Sequence, residues 1–319
     1  MILTLARASA LTLAFTACTA VAQDAPATPT SIVAAAPAGQ WRTIAPADLM
    51  VIDLGPTEKG EQRRIVVQLM PPPLSQGWVG NIRTLARAHW WDGTSVYRVV
   101  DNWVAQWGDG EDERNDPKPL PAELRTVPES EYVHQMDAVA MLAETCTGHA
   151  SGRPYTCDNY APTVFFRDGW PVGSDGVRQW PLHCYASVGV ARDLTPDTGT
   201  GAELYAVIGQ APRQLDRNIA VVGRVIEGIA HLATLPRGTA EAGVYATEAE
   251  HTPIVSVRLA DDIAPAERPA FEYLDTEGLS FADYVRAKQN RSDAFYIAAA
   301  GGSDICNIPV PIRRVKSGS

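Results

Sequence analysis

The sequence predicts a mainly β protein whose core is a closed barrel of about 215 residues with segments added to it. Three observations carry that prediction. Short β-rich runs recur between turn signals, two helical segments flank them, and 25 Gly with 24 Pro among 319 residues suit turn-dense β structure better than a helical bundle. Leu49–Leu54 and Arg64–Leu69 are β-rich runs joined by a Gly- and charge-rich turn, and Pro71-Pro72-Pro73 stops the second. Within Asn81–His89, Ile82, Leu85 and Ala86 fall at helical spacing. Asp92-Gly93-Thr94 is a turn before the strand Val96–Val100. Later strands are expected at Ala186–Val190, Leu204–Ile208, Ala220–Val225 and Ile254–Leu259, with a helix over Ile226–Leu235. Within this domain, residues 48–262, the pattern turns irregular from about 110 to 182. Acidic and Pro-rich stretches alternate there with one helical stretch, Ser130–Leu142, and we read the segment as a disulfide-stapled insertion. Residues 263–319 form a C-terminal extension. Its clearest element is Ser280-Phe281-Ala282-Asp283, a capping-box-like helix start with Leu279 and Tyr284 placed as a staple, running to about Lys288.

Residues 1–22 read as a secretory signal. Arg7 is the only charge, and the small and apolar run from Ala8 ends in Ala20-Val21-Ala22. That run is too short for a membrane-spanning helix, which needs about 20 apolar residues. A second route is lipidation at Cys18, although Phe15 stands where a lipobox has Leu. The chain is thus expected to be exported and periplasmic, or lipid-anchored in the envelope, with no transmembrane helix. Residues 23–47, rich in Ala, Pro and Thr, read as a flexible leader. Four cysteines follow: Cys146, Cys157, Cys184 and Cys306. In an oxidising compartment they imply two disulfides, and three pairings remain open.

Composition also excludes whole classes of function. With 27 Lys+Arg against 37 Asp+Glu the formal charge is −10, and no basic stripe exists to track a phosphate backbone, so nucleic acid is not a partner. Cys146-x2-His149 and His183-Cys184 lack the paired frame of a zinc site. The acidic run Asp109–Asp116 lacks the frame of a calcium loop. Gly-x-Ser-x-Gly and Gly-x-Gly-x-x-Gly are both missing, so neither a hydrolase elbow nor a dinucleotide loop is present, and no metal or cofactor is expected.

The informative stretch runs from Trp91 to Asp109, and reads W-D-G-T-S-V-Y-R-V-V-D-N-W-V-A-Q-W-G-D. It resembles the signature of the cyclophilin family of peptidyl-prolyl cis-trans isomerases, Y-D-G-T-x-F-H-R-V-I-x-x-F-x-x-Q-G-G-D. Asp92, Gly93, Thr94, Arg98, Val99, Gln106, Gly108 and Asp109 stay in register with it. Val79-Gly80-Asn81-Ile82, Leu120-Pro121-Ala122-Glu123, Leu215-Asp216-Arg217-Asn218 and Val222–Gly228 resemble further family segments in the same order. The resemblance implies an eight-stranded antiparallel barrel capped by two helices. It also implies a catalytic Arg98, a proline pocket walled by Trp103 and Val104, and a Gln106 that binds substrate backbone. Ala191 and Arg192 match a backbone-contacting pair, Tyr205 the pocket floor and Leu215 a pocket leucine. Ile219 replaces a frequent His at the pocket edge, Gln214 a rim aromatic, Tyr97 the His before the arginine, and Trp107 a Gly. Glu203 replaces a Gln and adds a negative charge beside Arg98, either pairing with it or drawing it from substrate.

The chemistry implied needs no covalent intermediate. Rotation about a prolyl amide crosses a barrier of about 18–20 kcal/mol because it destroys resonance and leaves the proline nitrogen with a lone pair. A donor beside that nitrogen stabilises the twisted state and not the planar one. Arginine, planar and always protonated, suits the role. Period-two alternation puts Val96, Arg98 and Val100 on one face, among apolar neighbours. The expected function is therefore prolyl isomerisation of Xaa-Pro-containing polypeptides during folding of exported proteins. The alternative is a proline-peptide binding module or periplasmic chaperone with little catalysis.

Overall fold

The β-rich runs close on themselves into an eight-stranded antiparallel barrel, and the segments outside them build two smaller sheets. The computed structural model describes residues 27–110, 117–136, 158–291, 293 and 295–315. The signal and lipidation readings, Cys146, Cys157, most of the acidic run and residues 137–142 of the expected helix lie outside the described residues. In chain order the first elements are α1 (Pro29–Ala35), β1 (Trp41–Thr43), β2 (Leu49–Leu54), β3 (Arg63–Leu69), α2 (Gln76–Arg87), β4 (Ser95–Val99) and β5 (Val104–Gly108). Then come β6 (His134–Gln135), β7 (Thr163–Arg167), β8 (Trp170–Ser174), β9 (Arg178–Pro181), β10 (Ser187–Val190) and β11 (Leu204–Val207). Last are β12 (Val221–Glu227), α3 (Ala230–Ala233), β13 (Thr252–Leu259), β14 (Phe271–Leu274), α4 (Leu279–Gln289) and β15 (Ile312–Arg314).

The barrel order is β10-β11-β5-β4-β13-β2-β3-β12, closed by β12 pairing with β10. Its interior is filled by alternate residues such as Ile52, Val67, Val99, Ala105, Val188 and Ala206. Helix α2 covers one end. Trp78, Ile82 and Leu85 face the core, and Asn81 bonds through both ends of its amide to the backbone of Arg125 and, through Nδ2, to Thr200 O. The helix starts five residues before the Asn81 that sequence spacing suggested.

Four expectations change. The stretch read as a flexible leader carries α1 and β1, and β1 pairs with β14 through Trp41 opposite Leu274. Trp41, Leu274, Phe281, Tyr284 and Ile308 form a second small core there, so leader and extension fold as one unit. Within the insertion, Ser130 to Gln135 forms a short 3-10 turn and the strand β6 rather than the start of a helix. Beside it β7, β8 and β9 complete a four-stranded sheet. The helix expected over Ile226–Leu235 shrinks to α3, because the β-branched run Val225-Ile226 continues the ladder to β3 until Gly228 turns the chain at φ +84°. Helix α4 begins at Leu279, with Gly278 as its cap; Gln40 Oε1, not Ser280, takes up an end N–H, that of Ser280. Leu279 is 78% exposed and so does not staple onto Tyr284.

Of the cysteines, Cys184 and Cys306 form a disulfide that ties the segment entering β10 to the C-terminal extension. This also removes Cys184 from any zinc frame. The turn between β8 and β9 yields a pH prediction. Asp175 accepts from the backbone N–H of Val177 and Arg178 and from Arg178 Nε. The Arg178 N–H leads in lowering its carboxyl to about 2, over a smaller burial penalty. A carboxylate lowered on folding stabilises the fold above its unfolded value near 4. That contribution is lost as pH falls from about 4 towards 2. Asp175→Asn is expected to remove this component of acid destabilisation. An NMR titration in which Asp175 shows an ordinary aspartate midpoint would contradict it.

Candidate active site

Antiparallel register decides which side chains meet on the outer face of the barrel. Arg98 on β4 lies opposite Gln106 on β5, Gln106 opposite Tyr205 on β11, and Tyr205 opposite Gly189 on β10. One row across four strands thus carries three of the sequence-predicted site residues. In the next row Val104 lies opposite Val207. Val104, Tyr205 and Val207 form a buried apolar cluster against which Val100, Ala191 and Ile219 pack. The expected pocket wall, floor and edge are therefore together. The alternation is corrected at one point: the β4–β5 register shifts between Val96 and Arg98. This bulge sends Val96 into the barrel core while Arg98 stays outside, so the two do not share a face.

Arg98 is clamped on two sides. Its Nε donates to Ala242 O at 2.7 Å and its Nη1 to Gln106 Oε1 at 2.9 Å. The first acceptor comes from the loop after α3, which runs beside β4 through Gly238 N to Val99 O and Tyr245 N to Tyr97 O. Sequence reasoning missed Ala242, since a backbone carbonyl leaves no residue-type signal. Arg98 Nη2 has no partner among the described residues. Burial pushes the guanidinium pKa down and the neighbouring Tyr97 partly restores it. Trp103 follows Asn102 (φ +51°) on the β4–β5 turn, 38% exposed, with its ring centroid 6.0 Å from the Arg98 guanidinium carbon.

Glu203 takes a third course beside the two expected of it. Its Oε2 accepts from Tyr97 OH at 2.9 Å, and its Oε1 accepts from the backbone N–H of Asp109 at 2.7 Å. Tyr97 OH in turn accepts from Gln106 Nε2. Burial first, then the Glu203 charge, push the Tyr97 phenol far above its usual range, so it keeps the proton it donates. Glu203 therefore reaches Arg98 through Tyr97 and Gln106, and both departures from the family signature belong to one chain of hydrogen bonds. Gln106 has one partner at each end of its amide, Arg98 and Tyr97.

Gly108 makes room for this arrangement. Its φ is +152°, and a Cβ there would stand 2.1 Å from Glu203 Oε2. Gly108→Ala is expected to expel the carboxylate from its bonds and to destabilise the fold by about 1–3 kcal/mol. Urea unfolding checks this, and an unchanged midpoint would contradict it.

Below the pocket lies a second, wholly buried chain that the sequence did not announce. Tyr205 OH meets His183 Nε2 at 2.9 Å, and His183 Nδ1 meets Asp216 Oδ1 at 3.0 Å. Arg213 then joins Asp216 to Asp158, each at 2.6 Å. A lone histidine ahead of a strand gives no hint of this. The remaining predicted residues lie nearby. Ala191 N donates to Glu203 O, and Arg192 donates to the backbone of Asn218 and Asp193. Leu215 ends a short 3-10 turn, and its carbonyl accepts from Ile219 N at 3.1 Å, setting Ile219 against the pocket. Gln214, at the position expected to form the rim, is exposed.

A family model described as cyclophilin type peptidyl-prolyl cis-trans isomerase/CLD matches residues 57–259, more than half of the chain. The chain belongs to the cyclophilin-type peptidyl-prolyl isomerase family. The model's span takes in every barrel strand except β2, and Arg98, Gln106 and Tyr205 fall inside it. Among solved structures the chain is similar to the cyclophilin AquaCyp293 from Hirschia baltica. The two share 22% identity with a TM-score of 0.63, over 92% of this chain and 99% of that one. That coverage extends beyond the cyclophilin domain, so the likeness in fold includes parts of the added segments. The curated proteins contain no match to this chain.

Proposed function

We propose that this cyclophilin catalyses prolyl cis-trans isomerisation with Arg98 as the group that stabilises the twisted amide. The observation that carries the reading is the pose of Arg98. Two bonds, to Ala242 O and Gln106 Oε1, hold its guanidinium at the end of the row that leads to the apolar cluster. Nη2 is left uncommitted among the described residues. A proline ring seated on Val104, Tyr205 and Ile219 brings its nitrogen to that donor, which strengthens its bond only as the nitrogen becomes pyramidal. No nucleophile is required. Trp103 shields one side and lowers the local dielectric, which raises the value of the hydrogen bond.

The substrates of this reading are Xaa-Pro segments of exported proteins. The Cys184–Cys306 disulfide supports an oxidising compartment, and residues 1–22 support export. The experiment is exchange NMR on an Ala-Xaa-Pro-Phe peptide with the mature chain. Faster cis–trans exchange at catalytic protein concentration is expected. Binding without faster exchange would replace the enzyme by a proline-peptide binding module, the role open to a chaperone or assembly factor.

A further inference from the structure

A tyrosine at the floor of an apolar pocket carries a polar group that must be satisfied elsewhere. Tyr205 is 4% exposed and packs with Val104 and Val207. Its ring crosses the strand below at Gly189, its register partner, where a Cβ would lie 2.3 Å from the hydroxyl oxygen. Glycine at this one position lets the hydroxyl pass through to His183 on the far side. There the two rings lie nearly coplanar, edge to edge, at 10° with centroids 6.3 Å apart. Burial, followed by the charge of Asp216, pushes the Tyr205 phenol well above its ordinary range.

His183 is itself over-determined. Asp216 Oδ1 accepts both its backbone N–H at 2.9 Å and its ring Nδ1 at 3.0 Å. With Nδ1 donating, a neutral ring leaves Nε2 to accept the Tyr205 O–H. Asp216 Oδ2 is held by Arg213 Nε, and Arg213 forks onto both oxygens of Asp158 at 2.6 and 3.0 Å. Asp216 also sits between Leu215 and Ile219, the turn that sets the pocket edge. One buried network therefore fixes the floor and the edge together.

We infer that His183 and Asp216 are positioning residues that act through Tyr205 to hold the proline pocket in its binding shape. The inference rests on the prolyl-peptide reading above, yet it concerns affinity rather than rotation. The hydroxyl is tethered below, so the pocket meets only the carbon face of the ring. A ring fixed before the ligand arrives does not have to be ordered on binding.

The test compares wild type, Tyr205→Phe, His183→Ala and the double variant, all as the mature oxidised chain, with an Ala-Ala-Pro-Phe peptide. Peptide titration gives Kd, and exchange NMR gives KM and kcat. Each single variant is expected to weaken binding about three- to tenfold, the ordering cost of one side chain. The double variant should be no weaker than the worse single, because one bond joins the two residues. The loss should fall mainly on KM. Gly189→Ala, which displaces the same hydroxyl without touching His183, should weaken binding similarly and keeps the test intact if His183→Ala fails to fold. Unchanged Kd in Tyr205→Phe and Gly189→Ala, or losses that multiply in the double variant, would overturn the inference. A wild type that binds peptide without speeding its exchange would reject the isomerase reading alone, and the Kd comparison would still decide this one.

Discussion

Arg213→Ala is expected to destabilise the folded protein by about 3–5 kcal/mol, among the largest effects of any single substitution in the chain. The side chains of Arg213, Asp158 and Asp216 are only 3%, 2% and 3% exposed. Burial alone would push the arginine pKa down, and its bonds to Asp158 and Asp216 more than reverse this. Removing the guanidinium leaves two carboxylates out of water with their shared cation gone. The loss is the desolvation of those groups, not the value of a hydrogen bond, and this is why it is large. A surface pair offers the contrast. Arg286 and Asp283 form an ion pair with side chains 68% and 53% exposed, and Arg286→Ala should leave the unfolding midpoint unmoved. Urea unfolding of both variants, with the disulfide intact, checks the pair of expectations. Equal midpoints for the two would show that the buried network does not hold the fold.

Arg98→Ala is expected to lower kcat/KM for peptide exchange about a hundredfold or more, the typical loss when one preorganised transition-state donor is removed. Peptide affinity should change much less, because the proposed proline seat is the apolar cluster of Val104 and Tyr205 with Ile219, which does not include Arg98. Arg98→Lys should recover little of the rate. A lysine ammonium lacks the planar fork that bonds Ala242 O and Gln106 Oε1 while directing a third donor outwards. Measured Kd and kcat/KM for the two variants separate these claims, and a parallel fall in both quantities would make Arg98 a simple binding residue.

What the sequence made legible was what local pattern or motif can encode. Strands β2, β3 and β11 show as short runs of apolar, strand-favouring residues between turn signals. The Arg98-to-Gln106 spacing is readable because both residues sit in one hairpin, eight positions apart. Pairing between distant segments is another matter. Trp41 and Leu274 each look unremarkable alone, and only their register makes the leader a strand. The eighth barrel strand, β5, does not stand out from the motif, since Trp103-Val104-Ala105-Gln106-Trp107 lacks clean alternation. The bulge before Arg98 breaks a period that sequence can only assume to be regular. Glu203 reads as a charge near Arg98, but its partner Tyr97 meets it only because the fold brings β4 and the start of β11 together. The His183–Asp216–Arg213–Asp158 network joins residues from three separated segments, so neither spacing nor composition could have assembled it.

The most direct test of catalysis by Arg98 is exchange spectroscopy on one Xaa-Pro peptide with wild type and Arg98→Ala compared at equal, substoichiometric concentration. Rapid exchange with wild type, near-solvent exchange with Arg98→Ala and similar peptide affinity for both are expected. Exchange that is equally fast with both proteins would contradict the role given to Arg98, and exchange that is equally slow would contradict catalysis at this site.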